Sequence, residues 1–209
     1  MRIVVSEFMS LDGVCQAPGG PEEDLDGGFR HGGWSMPFFD PEAMPPMLDE
    51  AMASTEALLF GRRTWRVMAD AWPGRAGDAF ADRMNSIPKY VVSRTLTDAD
   101  LDWSNTTRLG GDDALDQVAA LRATEGGDLG LMGSSSLARQ LVSAGLFDEL
   151  RLMIEPVILG GGKRLFPDDG TARTLELIES STSSTGVQMC VLRPSEGGID
   201  TGSSDELSA

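Results

Sequence analysis

The chain has 209 residues, 41% of them hydrophobic and 24% charged, the proportions of a water-soluble globular protein large enough for one substantial core. Seventeen lysines and arginines stand against 33 aspartates and glutamates, and the resulting net charge of −16 excludes nucleic acid and anionic membranes as partners, since both require a basic face. Two cysteines without CxxC spacing and a single histidine, His31, exclude a zinc site and a histidine-based catalytic triad, so no metal is expected.

The opening Arg2-Ile-Val-Val-Ser lacks the basic-then-apolar pattern of a leader, and no apolar run approaches the roughly 20 residues that cross a bilayer, so a cytoplasmic protein is expected. Arg2 to Phe8 reads as a strand carried by the β-branched Ile3, Val4 and Val5, with Ser10-Leu11-Asp12-Gly13 as the turn after it. Residues 16 to 46 are rich in glycine, proline and acids. Trp34, Phe38 and Phe39 anchor that stretch, which is expected to lie as a loop over a cleft. Met47 to Ala53 reads as a helix behind Pro45-Pro46, and Ala57 to Phe60 as a strand running into Gly61.

Further helices are expected at Arg62 to Ala69 and Asp78 to Asn85, and a strand at Lys89 to Ser93. Asp113 to Arg122 is helical by the spacing of Leu115, Val118, Ala119 and Leu121 on one broad face. Leu129 to Met132 is a short apolar strand that stops at Gly133, after which Ser134, Ser135 and Ser136 open an amphipathic helix. Glu149 to Ile154, Glu176 to Ser180 and Val187 to Leu192 complete the strands, with Ser181 to Gly186 joining the last two as a hairpin. Strands alternating with helices and closed by a hairpin specify a three-layer α/β fold over residues 1–194, in which helices flank a central mixed, mostly parallel sheet. Residues 195–209 read as a disordered polar tail.

Three strand ends carry similar chemistry: Gly61-Arg62-Arg63-Thr64, Ser93-Arg94-Thr95 and Gly133-Ser134-Ser135-Ser136. Each sets backbone donors, hydroxyls or guanidinium groups at the carboxyl end of a strand, where open α/β sheets bind ligands. Together they suit the several phosphates of a dinucleotide. No G-x-G-x-x-G follows the first strand and no G-x-x-x-x-G-K-[ST] occurs, which speaks against the Rossmann and P-loop solutions.

These segments, with Gly145-Leu146-Phe147-Asp148-Glu149-Leu150 and Pro156-Val157-Ile158-Leu159-Gly160 through Leu165-Phe166, resemble the dihydrofolate reductase superfamily. The similarity is to the branch of the reductase domain of the bacterial bifunctional riboflavin-biosynthesis deaminase-reductase, and it covers about residues 2 to 193. No H-x-E with P-C-x-x-C deaminase pattern occurs, so a reductase domain alone is expected. The resemblance implies a dihydrofolate reductase-like fold, NADPH as cofactor and a homodimer.

It further implies an NADPH-dependent reductase of a small heterocyclic or carbonyl substrate, of the kind of 5-amino-6-(5-phosphoribosylamino)uracil. An NADP-binding regulatory protein without turnover is the alternative. By resemblance Gly61, Arg62, Arg63 and Thr64 meet the cofactor phosphates, and Ser93 and Arg94 the 2′-phosphate side. Gly133, Ser134, Ser135, Ser136 and Leu137 meet the pyrophosphate and the nicotinamide half. Relatives often carry Gly-Gly joined by a cis peptide where this chain has Gly133-Ser134. Candidate acids are Asp12 in the turn, Asp49 with Glu50 on the first helix, and Asp70; candidate substrate-lining residues are Trp34, Phe38 and Trp72.

Overall fold

The computed structural model describes residues 1–75, 77–195 and 197. The chain enters through β1 (Arg2–Ser10), in which Ile3, Val4 and Val5 are buried. A long connection leads to α1 (Met44–Ser54), β2 (Thr55–Gly61), α2 (Arg62–Ala71), α3 (Ala79–Ser86) and β3 (Lys89–Val92). β4 (Thr106–Leu109), α4 (Ala114–Arg122), β5 (Asp128–Met132), α5 (Ser135–Ser143) and β6 (Glu149–Glu155) follow, and β7 (Leu175–Thr182) and β8 (Gln188–Pro194) close the chain as a hairpin.

The eight strands form one sheet in the order β4-β3-β2-β5-β1-β6-β8-β7. β4 through β6 in that order are parallel, and β8 and β7 run antiparallel at the far edge. Side chains alternate between the faces of a strand, so a parallel strand covered on both sides reads as a continuous apolar run. β2 shows this directly. Ala57 and Leu59 pack with Leu129, Leu131, Leu137 and Leu141 on one face, while Leu58 and Phe60 join Trp65, Met84, Val91 and Trp103 on the other. Leu58, Leu59 and Phe60 are all fully buried, each contributing about 2 kcal/mol of transfer free energy.

β5 returns between β2 and β1, and β6 lies on the other side of β1. The carboxyl ends of β1, β2 and β5 therefore meet at the middle of one edge, the position at which such sheets bind ligands.

Three local departures from the sequence expectation have physical causes. α1 starts at Met44, because Pro45 and Pro46 occupy the first turn, where no backbone N–H is required. β4 was not expected, since only Leu109 of its four residues is buried and no apolar run marks it. Ser93 lies past the end of β3, and its hydroxyl accepts hydrogen bonds from the N–H groups of Thr95 and Leu96.

The connection over residues 16–46 is pinned along its length and includes two short 3₁₀ turns. Trp34 donates its indole N–H to the Gln16 carbonyl at 2.8 Å and packs with Val14, Ala17 and Phe29. Asp40 accepts from both the N–H and the hydroxyl of Ser184, tying the connection to the β7–β8 hairpin. The tail expected after residue 194 falls on residues of which only 195 and 197 are described.

Candidate active site

Where β2 and β5 end, the chain makes two tight approaches. The N–H of Gly61 donates to the Ser134 hydroxyl at 2.7 Å, and the N–H of Gly133 donates to the Ser6 carbonyl of β1 at 3.2 Å. Gly133 has φ +72°, and a Cβ there would stand 3.3 Å from the Thr64 methyl. The Gly133–Ser134 peptide is trans. Ser134 has a left-handed backbone, and with its hydroxyl engaged by Gly61 it does not cap α5.

α2 also begins, at Gly61, without a side-chain cap. Two helix N-termini thus open onto the same place with first-turn N–H groups that no side chain satisfies, the arrangement that attracts an anion.

Below these termini lies a cavity of roughly 540 Å³. Gly61 to Thr64 and Gly133 to Leu137 line it, which brings two of the three expected cofactor segments together. The third stands outside the cavity. Ser93 is buried and Arg94 is exposed, 3.9 Å from Asp112, at the end of the neighbouring β3. Another part of the wall is apolar: Phe8, Leu48 and Met153 belong to one packed cluster, and the exposed Met36 and Phe39 stand at the mouth.

Arg63, expected to meet phosphate, is engaged by two acids of the connection. Its guanidinium bonds Asp24 at 2.5 Å and Asp26 at 2.6 and 2.8 Å, and the Lys163 ammonium bonds the same pair at 2.6 and 2.9 Å. Burial opposes ionisation of Asp24, but the hydrogen bonds from Lys163 and Arg63 outweigh it and hold the carboxyl low. Hydrogen bonds from Arg63, then Lys163, hold Asp26 below the usual carboxylate range. Arg62 remains exposed at the start of α2.

The candidate acids lie elsewhere. Asp12 is a brace: its carboxylate accepts from the Ser10 hydroxyl at 2.7 Å and from the N–H groups of Leu159 and Gly160, which overcome partial burial and set it at about 2. Asp49, Glu50 and Asp70 are exposed on their helices and do not line the cavity. Nor do the three expected substrate-lining aromatics. Trp34 packs within the connection, Phe38 sits in the cluster around Met44 and Val187, and Trp72 packs on Phe80 with Arg75 over its ring. Met36 and Phe39 line the cavity beside them. Among the described residues, no group of three or more His, Cys, Asp or Glu is placed to hold a metal ion.

Two carboxyl groups not singled out from the sequence are buried here. Glu7 of β1 lines the cavity, is 2% exposed, and its Oε1 has no hydrogen-bond partner among the described residues. Burial, reinforced by the charge of Glu23, raises its pKa well above the ordinary value. Glu155 at the end of β6 accepts a hydrogen bond from the Ser35 hydroxyl at 2.7 Å, and burial pushes it up to about 7. The signal for Glu7 was present in the sequence. It occupies the same strand parity as Ile3, Val5 and Met9, a core-facing position that normally rejects a carboxylate.

Sheet order, flanking helices and the cavity at the central carboxyl edge define the dihydrofolate reductase-like class of three-layer α/β folds. Residues 2–189 match the RibD C-terminal domain, and the chain belongs to that family. It is 28% identical over 199 residues to the uncharacterized protein YyaP of Bacillus subtilis, covering 91% of this chain and 93% of YyaP. Among solved structures, a pyrimidine reductase-like protein from Corynebacterium diphtheriae superposes with TM-score 0.64 at 16% identity, covering 94% of this chain and 92% of that one. Dihydrofolate reductase from Enterococcus faecalis, complexed with NADP(H), superposes with TM-score 0.56 at 14% identity, covering 93% and 97%.

Proposed function

We propose that this protein is an NADPH-dependent reductase of a small heterocyclic or carbonyl substrate. The observation that carries this reading is the pair of uncapped helix N-termini, at Gly61 and Ser134, opening onto one cavity. Their backbone donors suit a pyrophosphate, and the absence of side chains at Gly61 and Gly133 lets a bulky ligand approach the strand ends. Ser136 adds a hydroxyl at the same place, while the Ser135 hydroxyl donates to the Cys15 carbonyl at 3.2 Å. On a chain of net charge −16, such local donors are what an anionic cofactor requires.

In this reading Arg62, with Ser93 and Arg94 at the end of the adjacent β3, holds the 2′-phosphate and favours NADPH over NADH. The cluster of Asp24, Asp26, Arg63 and Lys163 fastens the connection along the cleft, so Arg63 acts on the cofactor together with its two acids rather than as a free cation. The apolar wall around Phe8, Leu48 and Met153 receives the acceptor and keeps water from it. When bound, the reduced nicotinamide supplies a hydride to the acceptor.

The reading includes a homodimer formed through β7, the terminal strand of the sheet, on which Leu177 and Ile178 are exposed. Equilibrium titration of the protein with NADPH and NADH tests the proposal. NADPH binding in the micromolar range, tighter than NADH, is expected. No binding of either at high micromolar concentration would remove the basis for the reductase function.

A further inference from the structure

We propose that Glu7 is the acid of this site: it gives a proton to the carbonyl oxygen or imine nitrogen of a flat, apolar acceptor that carries no phosphate. The proposal rests on the reductase function above and assigns its proton donor and substrate class. Two buried glutamates show what distinguishes it. Glu149 is 1% exposed and is bonded to Arg2, Arg151 and Arg193, as a structural carboxylate should be. Glu7 is as deeply buried, yet its Oε1 is unpartnered among the described residues and, unlike Glu155, whose Oε2 is also unpartnered, it lines the cavity. A carboxyl left without a cation in an apolar wall keeps its proton and becomes a hydrogen-bond donor.

The surrounding charges agree. Glu23, on the connection after β1, is the charged group that acts on it and strengthens its hold on the proton, and Glu7 in turn helps burial to raise the neighbouring Cys15 thiol. Asp24 and Asp26 are neutralised by Arg63 of α2 and by Lys163.

The same pairing decides the substrate class. Arg63 and Lys163 are the cavity-lining cations nearest to Asp24 and Asp26, and both are spent on these two acids; Arg62 is the remaining cation of the lining and belongs with the cofactor phosphates. Among the described residues, no spare cation stands by Phe8, Leu48 and Met153 to receive a phosphorylated acceptor. This departs from the phosphoribosyl-bearing pyrimidine implied by the family resemblance.

The step balances. The acceptor carbon takes a hydride with its electron pair from NADPH, and the C=O or C=N π pair moves onto the heteroatom. The heteroatom takes the Glu7 proton, leaving the alcohol or amine, NADP⁺ and a carboxylate that solvent reprotonates.

The test uses the full chain, its Glu7→Gln and Glu7→Asp variants, NADPH, and 9,10-phenanthrenequinone as a flat acceptor without phosphate. Infrared spectra at pH 7 are expected to show a neutral carboxyl C=O stretch in the wild type that Glu7→Gln lacks, before any cofactor is added. NADPH affinity should be equal in all three proteins. Quinone turnover should fall about 100-fold in kcat in Glu7→Gln, with KM unchanged, and recover in part in Glu7→Asp. At saturating NADPH, phenol should compete with the quinone and phenyl phosphate should not.

An ionised Glu7 at pH 7, or wild-type turnover in Glu7→Gln, overturns its role. Wild type that binds NADPH but leaves the quinone unreduced, or competition by phenyl phosphate equal to that of phenol, overturns the substrate class. A wild type that fails to bind NADPH brings down the reductase function itself, an outcome distinct from the other two.

Discussion

The hydroxyl of Ser134 accepts a hydrogen bond from the backbone N–H of Gly61 at 2.7 Å, joining the carboxyl ends of β5 and β2. The bond has a second effect: a serine hydroxyl spent on another strand leaves the α5 N-terminus uncapped, with its donors facing the cavity. Ser134→Ala removes the acceptor and leaves the Gly61 N–H unpaired, at a cost of about 1–3 kcal/mol. Urea unfolding should register that loss, and NADPH titration a parallel weakening as the two strand ends lose their tie. Unchanged stability would mean that the bond is dispensable.

Gly133 and Gly145 form a matched pair for separating strain from function. Both have positive φ, +72° and +66°, so alanine at either costs about 1–2 kcal/mol in backbone strain. Only at Gly133 does the new methyl meet a neighbour, the Thr64 methyl at 3.3 Å; at Gly145 it enters open space. Comparable losses in thermal stability are expected for Gly133→Ala and Gly145→Ala, with weaker NADPH binding in Gly133→Ala alone. Equal NADPH affinity in the two variants would place the cofactor away from the β5 end.

How much of this was readable from the chain depends on whether a residue's role is local. The continuous apolar runs of β1, β2 and β5 and the strand–glycine–hydroxyl–helix pattern at Gly133 are local, and they specified both the sheet and the two helix ends at the cavity. β4 escaped because Thr106-Thr107-Arg108-Leu109 is half exposed at an edge and owes its strand conformation to pairing with β3. The capture of Arg63 by Asp24 and Asp26 depends on contacts 37 to 39 residues apart, which no spacing rule encodes. Asp12 shows the reverse: it lies in the turn that the sequence marks at Ser10 to Gly13, and its bonds to Leu159 and Gly160 are those of a brace. Glu7 carried a legible signal, an acid in a core-facing position, but its lack of a partner is a tertiary fact.

Glu155 makes stability depend on pH with a defined sign. Its pKa is raised from 4.5 to about 7 by burial. Between those values the folded protein keeps a proton that the unfolded chain releases, so the contribution of Glu155 to stability is fully present below pH 4.5 and is lost as pH rises through 7. The difference is about 3 kcal/mol. Glu7 acts in the same direction, whereas the low-pKa aspartates act oppositely and are common to wild type and variant. Glu155→Gln is therefore expected to lose about 3 kcal/mol less than wild type between pH 4.5 and 7.5 in urea unfolding. An unaltered pH profile would contradict a buried, proton-retaining Glu155.

β7 is the terminal strand of the sheet among the described residues, and Leu177 and Ile178 are 55% and 42% exposed. A strand of eight residues with such an edge is suited to pair with a second copy. Light scattering behind size exclusion should give twice the chain mass for wild type and a single chain mass for Leu177→Asp/Ile178→Asp. A monomeric wild type at micromolar concentration would exclude the β7 interface.

The central claim is that two uncapped helix N-termini at Gly61 and Ser134 hold the pyrophosphate of NADP(H) over the cavity that contains Glu7. A crystal structure grown with NADP⁺ tests it most directly. The expected result is nucleotide density running from the ends of β2 and β3 to the end of β5, with pyrophosphate at the first turns of α2 and α5 and the nicotinamide within the cavity. Nucleotide density elsewhere on the protein, or none at millimolar NADP⁺, would contradict it.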